Sequence, residues 1–353
     1  MKHLVDLDDF SLEEVDSILN KAIYIKSNLS EFSDTMSGKI IATLFYEPST
    51  RTQMSFQTAM IKLGGQVIGF DNPSNSSIAK GEDLKDTIKI VSQYADVIAI
   101  RHHLEGAARA AACFSSCPVI NAGDGQHLHP TQTLTDLLTI KEKKRSLSGL
   151  TFGFCGDLKH GRTVHSLVKM LVRYKNNKFI FISTDELKIP NYIKKIILDS
   201  KNQFEESNSL EDSINKLDIL YMTRIQRERF DARKTNCSAQ KSLLNLSKGK
   251  LQKARSDMLV LHPLPRVDEI DFDVDDDPRA AYFKQAANGV FARMALILHV
   301  ESAQKVENFR GTTINMHCCN ERCVTNSEKY LPNSFIKDKD SYFCEYCSHR
   351  LNI

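Results

Sequence analysis

Short apolar runs recur along the chain at residues 40–45, 67–70, 97–100, 119–120, 150–154, 179–182, 219–222 and 258–261, with longer helical patterns between them. Strands buried on both faces read as continuous apolar runs, and alternation with helices is the βαβ rhythm of a parallel sheet. Val164, Leu167, Val168 and Leu171 fall at i, i+3, i+4 and i+7, which predicts an amphipathic helix after the strand ending near Gly156. Ser11 and Glu14 have capping-box spacing and mark a helix start. Val290, Met294, Ile297 and Leu298 predict a final long helix at about 286–304 that packs back on the N-terminal domain. The polar stretch KEKKRSLSG at 141–149 separates the first four runs from the second four. The expected fold class is α/β, with two doubly wound parallel-sheet domains at 1–145 and 146–285 and a small cysteine-bearing module at 306–353. The run DEIDFDVDDD at 268–277 holds seven acids in ten positions and reads as a solvated loop.

The 353 residues suit two or three domains. Forty-seven basic against 44 acidic residues leave a net charge of +3, so nothing demands a polyanionic partner, and nucleic acid is not expected. No apolar run exceeds five residues, far from the ~18 of a membrane span. The start MKHLVDLDDF lacks the apolar stretch of a signal peptide, so a cytoplasmic location is expected.

The first candidate chemistry lies at Ser49-Thr50-Arg51-Thr52, directly after the first predicted strand and at the start of a helix. Unpaired backbone N–H groups, the positive end of the helix dipole, hydroxyls and a guanidinium together suit a phosphate group. Arg101 ends another predicted strand, and His129-Pro130-Thr131-Gln132 stands where a fourth gives way to a helix. In open α/β sheets, ligands collect at those strand ends.

The segments Phe45-Tyr46-Glu47-Pro48-Ser49-Thr50-Arg51-Thr52, His129-Pro130-Thr131-Gln132 and His262-Pro263-Leu264-Pro265 together resemble the carbamoyltransferase family. The resemblance implies that Ser49, Thr50, Arg51 and Thr52 hold the phosphate of carbamoyl phosphate. It also implies that Thr52, Arg101 and His129 aim donors at the carbonyl oxygen and that Gln132 assists the carbamoyl group. Arg51, Thr52, Arg101 and His129 are then the catalytic set, because donors aimed at an oxygen that gains charge lower the barrier. The family motif usually continues with Arg and has Glu four residues beyond. Here Gln53 and Gln57 stand in those places, which reads as joint replacement of a weak ion pair.

The second half bears on the acceptor. Asp157-Leu158-Lys159-His160-Gly161-Arg162-Thr163 follows one strand and Tyr221-Met222-Thr223-Arg224-Ile225-Gln226 runs off another. Two guanidiniums suit a substrate with two carboxylates, whereas an ornithine site must accommodate a cation. These segments resemble the aspartate-specific members, which implies that Arg162, Arg224 and Gln226 bind L-aspartate while the Pro263 and Leu264 carbonyls orient its amine. In that family a Ser and a Lys reach into a neighbouring subunit's site, so Ser77 and Lys80 are implied as shared ligands in a homotrimer or an assembly of trimers. The implied reaction yields N-carbamoyl-L-aspartate, a step of pyrimidine synthesis, with no organic cofactor. A carbamoyltransferase for another amine and a catalytically silent assembly subunit are the rival readings.

Cys318 and Cys323 have four residues between them, Cys344 and Cys347 two, and twenty separate the pairs. Two close pairs can wrap one tetrahedral Zn²⁺. Cys319 offers another first ligand, and Cys318 is preferred because residues 306–353 resemble the zinc domain of the family's regulatory chain. The resemblance implies a structural zinc module fused to a catalytic chain, without the nucleotide-binding domain that precedes it in the separate chain. Its expected job is subunit contact.

Overall fold

The computed structural model describes residues 2–224, 244–303, 311–338 and 341–351. They form two compact units, one of residues 1–131 with 289–353 and one of residues 132–288. The divisions fall inside two helices, Pro130–Lys144 and Tyr282–Ser302. No helix among the described residues is long and apolar enough to cross a membrane.

In the first unit, β1 (Ile40–Phe45), β2 (Gln66–Phe70), β3 (Val97–His102) and β4 (Val119–Asp124) form a parallel sheet in the order β2-β1-β3-β4. β3 and β4 are buried throughout and β1 nearly so, which explains their unbroken apolar sequence; β2, at the edge, is half exposed. The chain passes from β1 outward to β2 and then back to β3 on the other side, so the topological switch point lies between the ends of β1 and β3. Phe45 and Arg101 are register partners there. The Ser11 capping box forms as its spacing predicts: Ser11 Oγ accepts from the Glu14 N–H, and the Glu14 carboxylate accepts from the Ser11 N–H. Within this unit, the Arg293 guanidinium of the last helix lies over the Phe56 ring, and His299 packs against Phe10.

In the second unit, β5 (Thr151–Cys155), β6 (Lys178–Ile182), β7 (Gln203–Ser207), β8 (Ile219–Met222) and β9 (Leu259–Leu261) form a parallel sheet in the order β7-β6-β5-β8-β9. Its switch point lies between β5 and β8, where Cys155 pairs with Met222. The helix Arg162–Leu171 follows β5, as its apolar stripe predicts. The apolar-run reading misses β7, whose QFEES sequence is polar because it is an edge strand. The acidic run is not simply solvated. Glu269 is buried against His262, Asp275 pairs with Arg266, and Asp277 holds Arg279 at 2.7 Å.

The cysteine module contains an antiparallel sheet, β10 (Thr312–Thr313), β11 (Ser334–Asp338) and β12 (Ser341–Cys344). Read from sequence, it is an appendage. In the structure, Val324, Phe335, Tyr346 and Leu351 join the hydrophobic core of the first unit beside Ala107, Ala108, Ala110 and Ala111. A helix surface of alanines admits close approach, and a module this small gains the burial it lacks alone.

Asn177 shows how the second unit is tied together. Its side chain donates to the Leu147 and Leu171 carbonyls and accepts from the Leu150 N–H at 2.9–3.1 Å. Asn177→Ala strands two buried carbonyls and one half-buried N–H and is expected to lower unfolding free energy by roughly 1–3 kcal/mol, measured by urea titration followed by circular dichroism.

Candidate active site and cysteine cluster

The helix Thr50–Lys62 starts two residues after Pro48, with Ser49 as N-cap, no acidic residue in its first turn, and no side-chain capping bond from Ser49. The positive end of this helix is therefore not neutralised from within. Thr52 is buried, whereas Thr50 and Arg51 are exposed.

Arg101 sits at the next strand end, only 7% exposed, with its Nη2 2.9 Å from the Glu47 carboxylate and its Nη1 donating to the Ala122 carbonyl at 3.4 Å. An arginine cannot shed its charge, so burial demands an anion. Glu47 supplies one from the loop that leads to Ser49, and an incoming anion can share or replace it. Gly123, at φ +119°, makes room: a Cβ there would stand 2.7 Å from Arg101 Nη1 and 3.5 Å from His129 Cδ2. Arg101 and His129 thus flank one glycine, and His129, buried, leads into the helix Pro130–Lys144. His102 next to Arg101 is driven down to about 3 by burial, so its neutral Nδ1 accepts from the Leu104 N–H at 3.0 Å and shapes the following turn.

Ser77 and Lys80 lie on an exposed 3-10 turn, Ser77–Lys80, closed by Gly81, and neither side chain has a hydrogen-bond or ion-pair partner among the described residues. Gln57 reaches Thr43 of β1 at 3.5 Å and Gln53 is half-buried, so these two positions are packed rather than exposed as an ion pair.

In the second unit, Arg162 begins the helix Arg162–Leu171 and Arg224 lies two residues beyond β8, both half-exposed and both just past strands that flank the switch point. Asp157, buried, holds His160 at 3.2 Å and fixes the loop before Arg162. Gln226 lies outside the described residues.

A network that sequence reasoning misses links Gln132 to the Pro263–Leu264 loop. The buried Asp136 carboxylate accepts from Gln132 Nε2 (2.7 Å), Gln285 Nε2 (2.6 Å) and the Tyr221 hydroxyl (3.0 Å). Gln285 Oε1 in turn accepts from the His262 N–H at 2.9 Å. The Leu264 N–H donates to His262 Nδ1, which puts the ring proton on Nε2, where it is donated to Glu269 at 2.7 Å. Burial opposes the Glu269 charge, yet its hydrogen bond with His262 outweighs this and holds the carboxyl below its usual range. Leu264 itself has φ +54°, a left-handed conformation held by these bonds. Because Asp136 only accepts, Gln132 turns its NH₂ inward and keeps its carbonyl oxygen for another donor. The i, i+4 spacing of Gln132 and Asp136 was the available signal.

The Sγ atoms of Cys318, Cys323, Cys344 and Cys347, all buried, lie within 4.8 Å of one another and could hold a metal ion. Cys318 is 3.5 Å from Cys347 and Cys323 is 3.7 Å from Cys344. The edge of a tetrahedron of thiolates around a metal at ~2.3 Å is about 3.8 Å, so the donor set fits. Cys319 is exposed and turned toward the Arg350 carbonyl, outside the cluster.

Two family models match the chain. Residues 2–142 match the aspartate/ornithine carbamoyltransferase carbamoyl-P binding domain, and residues 148–300 match the Asp/Orn binding domain. The matched spans end before the cysteine cluster. The aspartate carbamoyltransferase catalytic subunit of Clostridium perfringens is 59% identical over 297 residues, covering 84% of this chain and 96% of that protein. The corresponding subunit of Clostridium kluyveri is 57% identical over 304 residues, 86% and 99% of the two chains. Among solved structures, the catalytic subunit of M. jannaschii aspartate transcarbamoylase superposes with TM-score 0.80 at 45% identity, covering 85% of this chain and 98% of that one. The Trypanosoma cruzi aspartate transcarbamoylase in complex with N-(phosphonacetyl)-L-aspartic acid gives 0.79 at 38% identity, covering 85% and 95%.

Gly123→Ala tests the anion pocket. The added carbon displaces the Arg101 guanidinium, and inorganic phosphate affinity by calorimetry is expected to fall roughly tenfold or more, the value of one charge-assisted hydrogen bond, in protein that remains folded.

Proposed function

We infer that this chain, which belongs to the aspartate/ornithine carbamoyltransferase family, transfers the carbamoyl group of carbamoyl phosphate to L-aspartate, giving N-carbamoyl-L-aspartate and phosphate for pyrimidine synthesis. The observation that carries the reading is the uncapped, acid-free helix start at Ser49–Thr52 beside the buried Arg101. The functional division that goes with it is a carbamoyl-phosphate domain at 1–145 with the returning helix, an aspartate domain at 146–285, and a zinc module at 306–353.

Ser49, Thr50, Arg51 and Thr52 take the phosphate, neutralising the leaving group through helix N–H donors and one guanidinium. Thr52, Arg101 and His129 donate to the carbonyl oxygen as it gains charge in the tetrahedral intermediate. Gln132, its amide anchored on Asp136, accepts from the carbamoyl NH₂. Arg162, Arg224 and Gln226 bind the two carboxylates of aspartate, and the Pro263 and Leu264 carbonyls orient its amine. The amine attacks, the intermediate collapses, and the departing phosphate carries off the amine proton, so no covalent enzyme intermediate is needed. Holding two anions in near-attack geometry can supply ~7–11 kcal/mol of the barrier reduction.

Ser77 and Lys80, whose side chains have no partner among the described residues, complete the site of a neighbouring subunit, which makes a trimer the minimum active assembly. The cysteine cluster holds a structural Zn²⁺: four thiolates leave no open position, so the ion contributes to folding and not to the transfer. A cytoplasmic location accords with this chemistry.

Arg51→Ala and Lys80→Ala are each expected to lose most activity toward aspartate while remaining folded oligomers. If sites are shared, dissociating and reassociating the two variants together restores activity, because some hybrid sites draw both intact residues from different chains. Absence of recovery in verified mixed oligomers would reject the shared site, and near-normal turnover by Arg51→Ala would reject the phosphate cradle. Acceptor assays with ornithine in place of aspartate are expected to give no product.

A further inference from the structure

The cysteine module is bonded to the turn that follows Arg101 and the turn that precedes His129. β3 presents Arg101 and then turns through residues 102–106. The Glu105 N–H donates to the Arg322 carbonyl and the Glu105 carbonyl accepts from the Val324 N–H, each at 2.9 Å. Between Arg322 and Val324 stands Cys323, a member of the metal-competent cluster. The Glu105 carboxylate also accepts from Asn320 Nδ2 at 2.7 Å. At Gly106, φ is +85° and a Cβ would lie 2.6 Å from that of Tyr346, so only glycine lets the module this close.

The second loop is reached through a buried carboxylate. Asp124, at the end of β4, accepts from the Gly106 N–H at 2.8 Å and from the Leu128 N–H and Asn121 Nδ2 at 3.1 Å. It also holds His127 Nδ1 at 3.0 Å, and His127 Nε2 meets Ser348 Oγ of the module at 3.2 Å. One carboxylate therefore joins the turn after Arg101 to the turn before His129, and the module grips both turns from outside.

We propose that the docked module is a positioning element for the carbamoyl-phosphate pocket, with Glu105, Gly106 and Asp124 as positioning residues through which an ordered cysteine cluster fixes the aim of Arg101 and His129. The inference rests on the transferase reading of that pocket. Its physical warrant is a two-state element: with a cation bound, the four cysteines would hold the segments at 318–323 and 344–347 in one shape, and without it the segment that bonds Glu105 loses its constraint. No residue of the module needs to touch substrate. Orientation of a catalytic donor by hydrogen-bonded neighbours is the route by which such support reaches chemistry.

The test uses the full-length oligomer in three forms: as purified with its metal, after chelation, and as the double variant Asn320→Ala/Ser348→Ala, which keeps all four cysteines. Metal content, amide hydrogen exchange, calorimetric binding of carbamoyl phosphate, and KM for each substrate are measured. The double variant is expected to retain its metal, to exchange faster at Gly106 and Leu128, and to bind carbamoyl phosphate roughly two- to thirtyfold more weakly, with the KM for aspartate at saturating carbamoyl phosphate unchanged. Chelation is expected to produce the same loop exchange in larger measure. Unchanged loop protection and unchanged carbamoyl-phosphate affinity in the metal-retaining double variant would overturn the proposal. Metal-dependent loop protection in protein that gives no heat with carbamoyl phosphate would instead overturn the transferase reading and uphold the coupling.

Discussion

A guanidinium buried at the carboxyl edge of a parallel sheet sets the terms for the first unit. Arg101 is charged at any physiological pH and lies almost out of water, so the fold must keep an anion beside it. Glu47 meets that need from the neighbouring loop. The glycine at 123 keeps the space that the guanidinium fills, and the helix that begins at Thr50 adds its dipole to the same strand ends. Sheet order decides where this happens, because the chain reverses direction between β1 and β3 and leaves a crevice there.

The second unit solves the opposite problem. Its buried charge is negative: Asp136 is surrounded by three donors, and Glu269 is satisfied by a histidine whose other nitrogen accepts from the backbone of the Pro263–Leu264 loop. A fully satisfied buried network is rigid, and here it fixes both an amide side chain and a backbone turn that face substrate in the proposed reaction. Arg162, at a helix start, and Arg224, just past β8, are half-exposed positive charges near the switch point of this sheet.

Much of this was legible from the residues. Strands β1, β3, β4, β5 and β8 are buried on both faces and so appear as apolar runs, and the Ser11 capping box and the stripe at 164–171 carry their own periodicity. β7 was not legible, since an edge strand of Gln, Glu and Ser is indistinguishable from a loop until its neighbour is known. The motifs at 49–52, 129–132 and 262–265 could be read because their residues are close in sequence. Glu47 as partner of Arg101, Gln285 as partner of Asp136, and Asp124 as partner of Gly106 could not, because each bond joins elements that only the topology brings together. The acidic run misled for the same reason: Arg266 and His262 satisfy acids that composition alone assigns to water. The docking of the cysteine module on an alanine helix depends on shape, which cysteine spacing does not encode.

In the proposed reaction one site takes a phosphate-like dianion and a dicarboxylate together. Calorimetric titration of N-(phosphonacetyl)-L-aspartic acid into the intact oligomer tests it most directly. Saturable binding at one site per chain, weakened competitively by inorganic phosphate and by aspartate analogues, is the predicted result. No heat from folded, oligomeric protein, or binding that phosphate does not oppose, would contradict it.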